Sequence, residues 1–82
     1  MRVNLLYFAS LREALGKSGE TVELPGGVNH TGELRDWLAA NGRAALANTR
    51  NLRCAVNQDM ADFTTPLADG DEVAFFPPVT GG

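Results

Sequence analysis

The chain has 82 residues, of which 44% are hydrophobic, and carries a formal net charge of −3. Area scaling gives about 4,700 Å² exposed when folded against about 12,600 Å² unfolded, which allows one modest core. Seven Lys and Arg scattered along an acidic chain do not make the clustered basic face of a nucleic-acid binder, and no apolar run nears transmembrane length.

Arg2 to Ala9 alternates as a strand does, with Val3, Leu5 and Tyr7 on the expected core face and Asn4, Leu6 and Phe8 on the other. Ser10-Leu11-Arg12-Glu13 has the form of a capping box and Gly16 that of a C-terminal stop, which predicts a helix of about two turns. Glu20 to Leu24 alternates again, Val22 and Leu24 inward, and ends at the turn Pro25-Gly26-Gly27. Thr31 is the expected cap of a longer helix, with Glu33 near its positive end and Leu34, Trp37 and Leu38 in one stripe until Gly42. Ala44 to Ala47 adds a turn of helix.

Leu52 to Asn57 reads as a third strand, with Leu52, Cys54 and Val56 on one face. Gln58 to Thr65 has no clear pattern, although Phe63 can anchor a short edge segment. Asp69-Gly70 turns the chain into a last strand, Glu72 to Phe76, where Val73 and Phe75 share a face and Ala74 and Phe76 the other. The acidic residues Asp69, Asp71 and Glu72 are expected to form a solvated loop. The order of elements predicts an α+β fold, a sheet with its main helix across one face, in a single domain spanning residues 1–82.

The sequence finishes Phe75-Phe76-Pro77-Pro78-Val79-Thr80-Gly81-Gly82. Pro77 and Pro78 fix φ and favour an extended exit, which lowers the entropy lost when residues 77–82 are threaded into a partner. Extended, those six residues reach roughly 20 Å. Gly-Gly has no Cβ, so its carboxylate can pass a narrow channel; taken alone, terminal glycines read first as frayed chain ends, and the preceding Phe-Phe-Pro-Pro-Val-Thr is what favours a working tail.

Ala55-Val56-Asn57-Gln58, followed by the run from Pro66-Leu67-Ala68-Asp69-Gly70 through Gly82, closely resembles the small subunits of molybdopterin synthase. Leu5-Leu6-Tyr7-Phe8-Ala9 and Leu11-Arg12-Glu13 are similar to the first strand and helix of that family; Pro25 to Asn51 matches only in pattern. The resemblance implies a ubiquitin-like β-grasp fold, with the first and last strands parallel and adjacent at the sheet centre. It also implies a sulfur carrier of molybdenum cofactor biosynthesis, not an enzyme by itself but the sulfur-donating subunit of a two-subunit sulfurtransferase. On that basis Gly82 is adenylated by a ubiquitin-activating-like adenylyltransferase that uses ATP and Mg, then receives sulfur from a donor protein as a thiocarboxylate. The tail then enters a large catalytic subunit, in a 2+2 heterotetramer, and gives sulfur to cyclic pyranopterin monophosphate. The chain itself is expected to bind no cofactor or metal.

The same resemblance makes Gly81 and Gly82 the reacting end and Phe76, Pro77, Pro78, Val79 and Thr80 partner-binding residues. Alternation puts Phe75 and Phe76 on opposite faces, and Phe76 is taken as the partner-facing one. For Met60 and Phe8, core packing and docking both stand as readings. Cys54, the one cysteine, reads as a small buried hydrophobe; with no internal disulfide possible and no secretory h-region after Met1, a reducing cytoplasm is expected. His30 has no Cys or His neighbour with which to build a metal site or a dyad, and Trp37 reads as core. Alternatives from other classes are a thiamine-type carrier, a ubiquitin-like protein modifier and an interaction domain with an inert tail.

Overall fold

In the computed structural model residues 1–78 are described, and their strands follow from alternation. β1 spans Arg2–Tyr7; Val3, Leu5 and Tyr7 are at most 1% exposed, while Arg2 and Asn4 face solvent. β2 is Gly19–Glu23, β3 Arg53–Val56, β4 Asp59–Ala61 and β5 Glu72–Phe76. They form one sheet in the order β2-β1-β5-β3-β4, in which β1 and β5 run parallel at the centre and all other pairings are antiparallel. The parallel central pair is the arrangement that the resemblance implied.

Three helices, α1 (Ser10–Leu15), α2 (Thr31–Ala40) and α3 (Ala45–Asn48), bring Leu11, Leu34, Leu38 and Leu46 into one core with Val3, Leu5, Tyr7, Val22, Leu24, Cys54, Val73 and Phe75. Trp37 is half-buried and packs against that core rather than within it. Burial of this kind contributes about 1.5–3 kcal/mol for each large apolar side chain, which outweighs the weak propensity of helices as short as α1 and α3.

Both expected helix caps are displaced. The chain turns at Ala9, with φ 54° and ψ −128°, so Ser10 is already helical and no side chain caps α1; the free backbone donors of the first turn reach Phe8 and Ala9 carbonyls instead. Gly16, in the left-handed region, closes the other end as expected. At α2 the cap is His30, whose Nδ1 accepts from the Glu33 backbone N–H at 3.3 Å. Thr31 is occupied elsewhere: its fully buried hydroxyl donates to the Asp62 carbonyl at 2.6 Å. Next to it Gly32 allows close backbone approach, since a Cβ there would lie 2.6 Å from the Phe63 carbonyl oxygen.

The segment without a clear pattern contains a tight hairpin. Asn57 and Gln58 both have positive φ (51° and 72°) and join β3 to the edge strand β4, with Val56 opposite Asp59. Two consecutive positive φ values in a two-residue loop match the right-handed twist of the strands. Phe63 lies just beyond β4, half-buried, with the Arg35 guanidinium 4.5 Å from its ring centroid.

The acidic turn is solvent-facing as expected, with Asp69 exposed, but its side chains are also hydrogen-bonded within the fold. The Asp69 carboxylate accepts from the Arg2 N–H at 2.7 Å, and Asp71 accepts from Asn57 Nδ2 at 2.9 Å and from the Ala68 N–H at 2.8 Å. Asn57 Oδ1 in turn accepts from the Glu72 N–H. Turn and hairpin are thereby joined, so this end of the sheet is closed by its own side chains.

Candidate docking surface at the base of the tail

The pairing registers divide the sheet into two faces. Cys54 opposes Phe75 and Val56 opposes Val73, on the helix-covered side; Arg53 opposes Phe76, Ala55 opposes Ala74, and Ala74 opposes Leu6, on the open side. Met60 opposes Ala55 and extends the open row to the edge strand. Residues directly opposite in neighbouring strands share a face, so Met60, Ala55, Ala74 and Leu6 form an apolar band across the open side. Its middle is shallow because two alanines occupy it.

Met60 is 58% exposed and Phe8 46%, which decides both against core packing. Phe76 is half-buried on the open face, while Phe75 is wholly buried beneath it. At the end of the sheet where β5 finishes, Phe8, Ala9, Ser10, Thr49, Arg50, Phe76, Pro77 and Pro78 line an open groove of about 760 Å³. Of the residues singled out in the sequence, the structure thus gathers Phe8, Phe76, Pro77 and Pro78 at one place, with Met60 on the same face but outside the groove. Val79, Thr80, Gly81 and Gly82 lie outside the described residues. Ala9, Ser10, Thr49 and Arg50 of the groove wall had no local signal; they reach it through the β1–α1 turn and the end of α3. Arg53 could have been found, because it alternates with Ala55 on the outer face of its strand.

Beneath Phe8 the core face carries a charged anchor. The Tyr7 hydroxyl donates to Glu20 Oε2 at 2.6 Å, and Arg43 meets the same carboxylate through Nε at 3.1 Å and Nη2 at 2.7 Å. Arg43 also donates to the Asn41 carbonyl. These bonds tie β1, β2 and the α2–α3 connection together. The Arg43 hydrogen bond, with that of Tyr7 adding to it, draws the Glu20 carboxyl from its ordinary 4.5 down to about 2 against the opposing effect of burial. Burial, reinforced by Glu20, pushes the Tyr7 hydroxyl up, so at neutral pH it remains a donor.

Cys54 is fully buried, its thiol 3.5 Å from the Ala61 carbonyl oxygen, and desolvation pushes it up, away from thiolate character. Among the described residues no group of three or more His, Cys, Asp and Glu side chains could hold a metal ion, and no helix is long and apolar enough to cross a membrane. What this end of the molecule offers is a shaped apolar surface at the root of a Pro-Pro exit.

Comparison with known proteins agrees with that geometry. The ThiS family model matches residues 5–82. The molybdopterin synthase sulfur carrier subunit of Escherichia coli is 45% identical over 82 residues, covering 98% of this chain and 99% of its own length. Among solved structures, small archaeal modifier protein 1 of H. volcanii aligns with a TM-score of 0.79 at 26% identity, covering 95% of this chain and 98% of that one. A chain in the complex of subunits 1 and 2 of the molybdopterin-converting factor from Helicobacter pylori aligns with a TM-score of 0.68 at 27% identity, covering all of both chains. With a β-grasp sheet, an apolar open face and full-length similarity extending through the Gly-Gly end, the chain belongs to the ThiS family and, within it, to the molybdopterin synthase sulfur carrier subunits.

Proposed function

We propose that the chain delivers sulfur on its terminal residue, Gly82, to a large catalytic subunit that completes the pterin dithiolene. A carboxylate at neutral pH is a poor electrophile because oxide would have to leave. Attack of the Gly82 carboxylate on the α-phosphate of ATP, in a separate Mg-dependent adenylyltransferase, releases pyrophosphate and creates an acyl-adenylate with a stabilised leaving group. The terminal sulfur of a donor persulfide then displaces AMP, and a thiol reduces the resulting acyl disulfide to the thiocarboxylate. Its soft, nucleophilic sulfur attacks an oxygen-bearing carbon of cyclic pyranopterin monophosphate in the large subunit and displaces that oxygen. Water then cleaves the acyl–sulfur bond, leaving the sulfur on the pterin and restoring the Gly82 carboxylate.

In this reading Gly81 and Gly82 are glycine so that both enzymes can close around the backbone. Val79 and Thr80 lie in the channel, Pro77 and Pro78 stiffen the approach, and Phe76, Phe8 and Met60 dock. The assembly is a 2+2 heterotetramer in the cytoplasm. The observation that carries the reading is the full-length similarity to a sulfur carrier subunit; the groove formed by Phe8, Phe76, Pro77 and Pro78 around the tail's root supports it.

The test is intact-mass analysis after incubation with the activating enzyme, ATP and a sulfur donor. The expected result is a mass gain equal to replacement of one oxygen by sulfur, absent when Gly82 is deleted. A wild-type chain that never gains it beside an active enzyme overturns the proposal. The likeness to small archaeal modifier protein 1 favours a second reading, a protein modifier. Gly82 found in isopeptide linkage to lysine in cell extracts would establish that one.

A further inference from the structure

The seven basic side chains differ in pairing according to where they sit. Arg2 meets Glu23, Lys17 and Arg43 meet Glu20, and Arg35 meets Asp36. Arg12, Arg50 and Arg53 are exposed and, among the described residues, form no ion pair. All three are at the end from which the tail leaves. Arg53 stands directly across from Phe76 on the open face, and Arg50 lines the groove with Phe8, Phe76, Pro77 and Pro78. Arg12, on α1, neither lines the groove nor stands opposite Phe76 in the sheet register. Asp62, beyond the end of β4, gives its carboxylate to Thr64 and Thr65. The local surplus is therefore Arg50 and Arg53, on a chain whose net charge is −3. At the opposite end of the sheet the balance reverses, with Glu23, Asp69, Asp71 and Glu72 gathered about the starts of β1 and β5 where Arg2 sits.

A planar guanidinium beside an apolar seat fits a carboxylate through two parallel hydrogen bonds, and aromatic and Arg side chains together dominate binding at interface centres. Opposite charge at a docking patch speeds encounter and fixes register more than it adds raw affinity. We propose that the tail end is an electrostatically steered seat, and that its occupant is a protein surface with an apolar centre flanked by carboxylates, engaged by Arg50 and Arg53. The inference rests on the sulfur-carrier reading, because it takes the large subunit as that occupant. It adds the charge of the partner's rim and the residues that read it.

The experiment measures association of the wild-type chain with the large subunit from the same organism by stopped-flow mixing at low and high NaCl. The association rate constant is expected to fall about tenfold or more at high salt. The double variant Arg50→Gln/Arg53→Gln should associate about tenfold more slowly at low salt and lose most of the salt dependence, with an unchanged thermal melt. Arg2→Gln removes one positive charge at the other end and should stay within about twofold of wild type. A double variant that keeps the wild-type salt slope, or an Arg2→Gln effect of equal size, overturns the inference. A wild-type complex indifferent to salt removes the inference alone. Absence of any wild-type complex removes the sulfur-carrier reading with it.

Discussion

The two ends of the sheet use their polar residues in opposite ways. At the end where the Asp69-Gly70 turn meets the Asn57-Gln58 hairpin, carboxylates and amides satisfy one another and the Arg2 N–H, leaving a closed surface. At the tail end, Phe8 is exposed, Phe76 is half covered, and Arg50 and Arg53 have no carboxylate partner among the described residues. Side-chain bonds within the fold hold the first end together. At the second end the same kinds of atoms remain available to another molecule, and the anchoring is moved one layer down, to Tyr7, Glu20 and Arg43. A domain with a single small core can thus separate the residues that keep it folded from those that meet a partner.

Three substitutions sharpen or break this division. The largest effect is expected for Phe76→Ala: affinity for the large subunit should fall by about 2 kcal/mol or more, because a half-buried aromatic at a docking centre is lost, while the melting temperature changes little. Titration calorimetry beside a thermal melt checks both; a collapse in stability with affinity intact would place Phe76 in the core instead.

Glu20 comes next. Its folded-state value is depressed to about 2, below the ordinary 4.5 of the unfolded chain. Stability from this group is therefore fully present above about pH 4.5 and is lost as the pH falls from there toward 2. Its side chain is 15% exposed, so screening is incomplete, and the contribution is about 2 kcal/mol. Denaturant unfolding between pH 6 and pH 2 should show a loss of that order in the wild type, and Glu20→Gln should be less stable at pH 6 but flatter across the range.

The smallest effect belongs to the closed end. Asp71→Ala removes acceptors from Asn57 and Ala68 in a partly solvated place and should cost about 1 kcal/mol in stability while leaving association with the large subunit unchanged. A change in the association rate with no change in stability would show that the closed end also meets the partner.

The strands and their inward faces were legible in the sequence because alternation is a local signal: Val3, Leu5 and Tyr7 in one strand, Val73 and Phe75 in another. What was not legible depended on residues far apart. His30 is not a common cap, and it serves as one because Thr31 is drawn to the Asp62 carbonyl, 31 positions away. Ser10 lost its capping role to a backbone turn at Ala9 that no rule for alanine anticipates. The Asn57-Gln58 hairpin has no glycine to announce it, since Asn tolerates positive φ readily and Gln seldom does. For the docking surface, alternation turned Phe8 outward and set Phe76 opposite Phe75, while Met60 was supplied only through resemblance. The sheet register then put Met60 and Phe76 on one side with Arg53 beside Phe76, and the groove brought Phe8 to Phe76.

The strand that leads into the tail is held on both edges, in parallel to β1 and antiparallel to β3. Any pull on residues beyond Phe76 is therefore resisted as shear across two hydrogen-bonded ladders at once, instead of peeling one strand from an edge. On the sulfur-carrier reading, the load of drawing the tail back out of a partner would fall on these two ladders together.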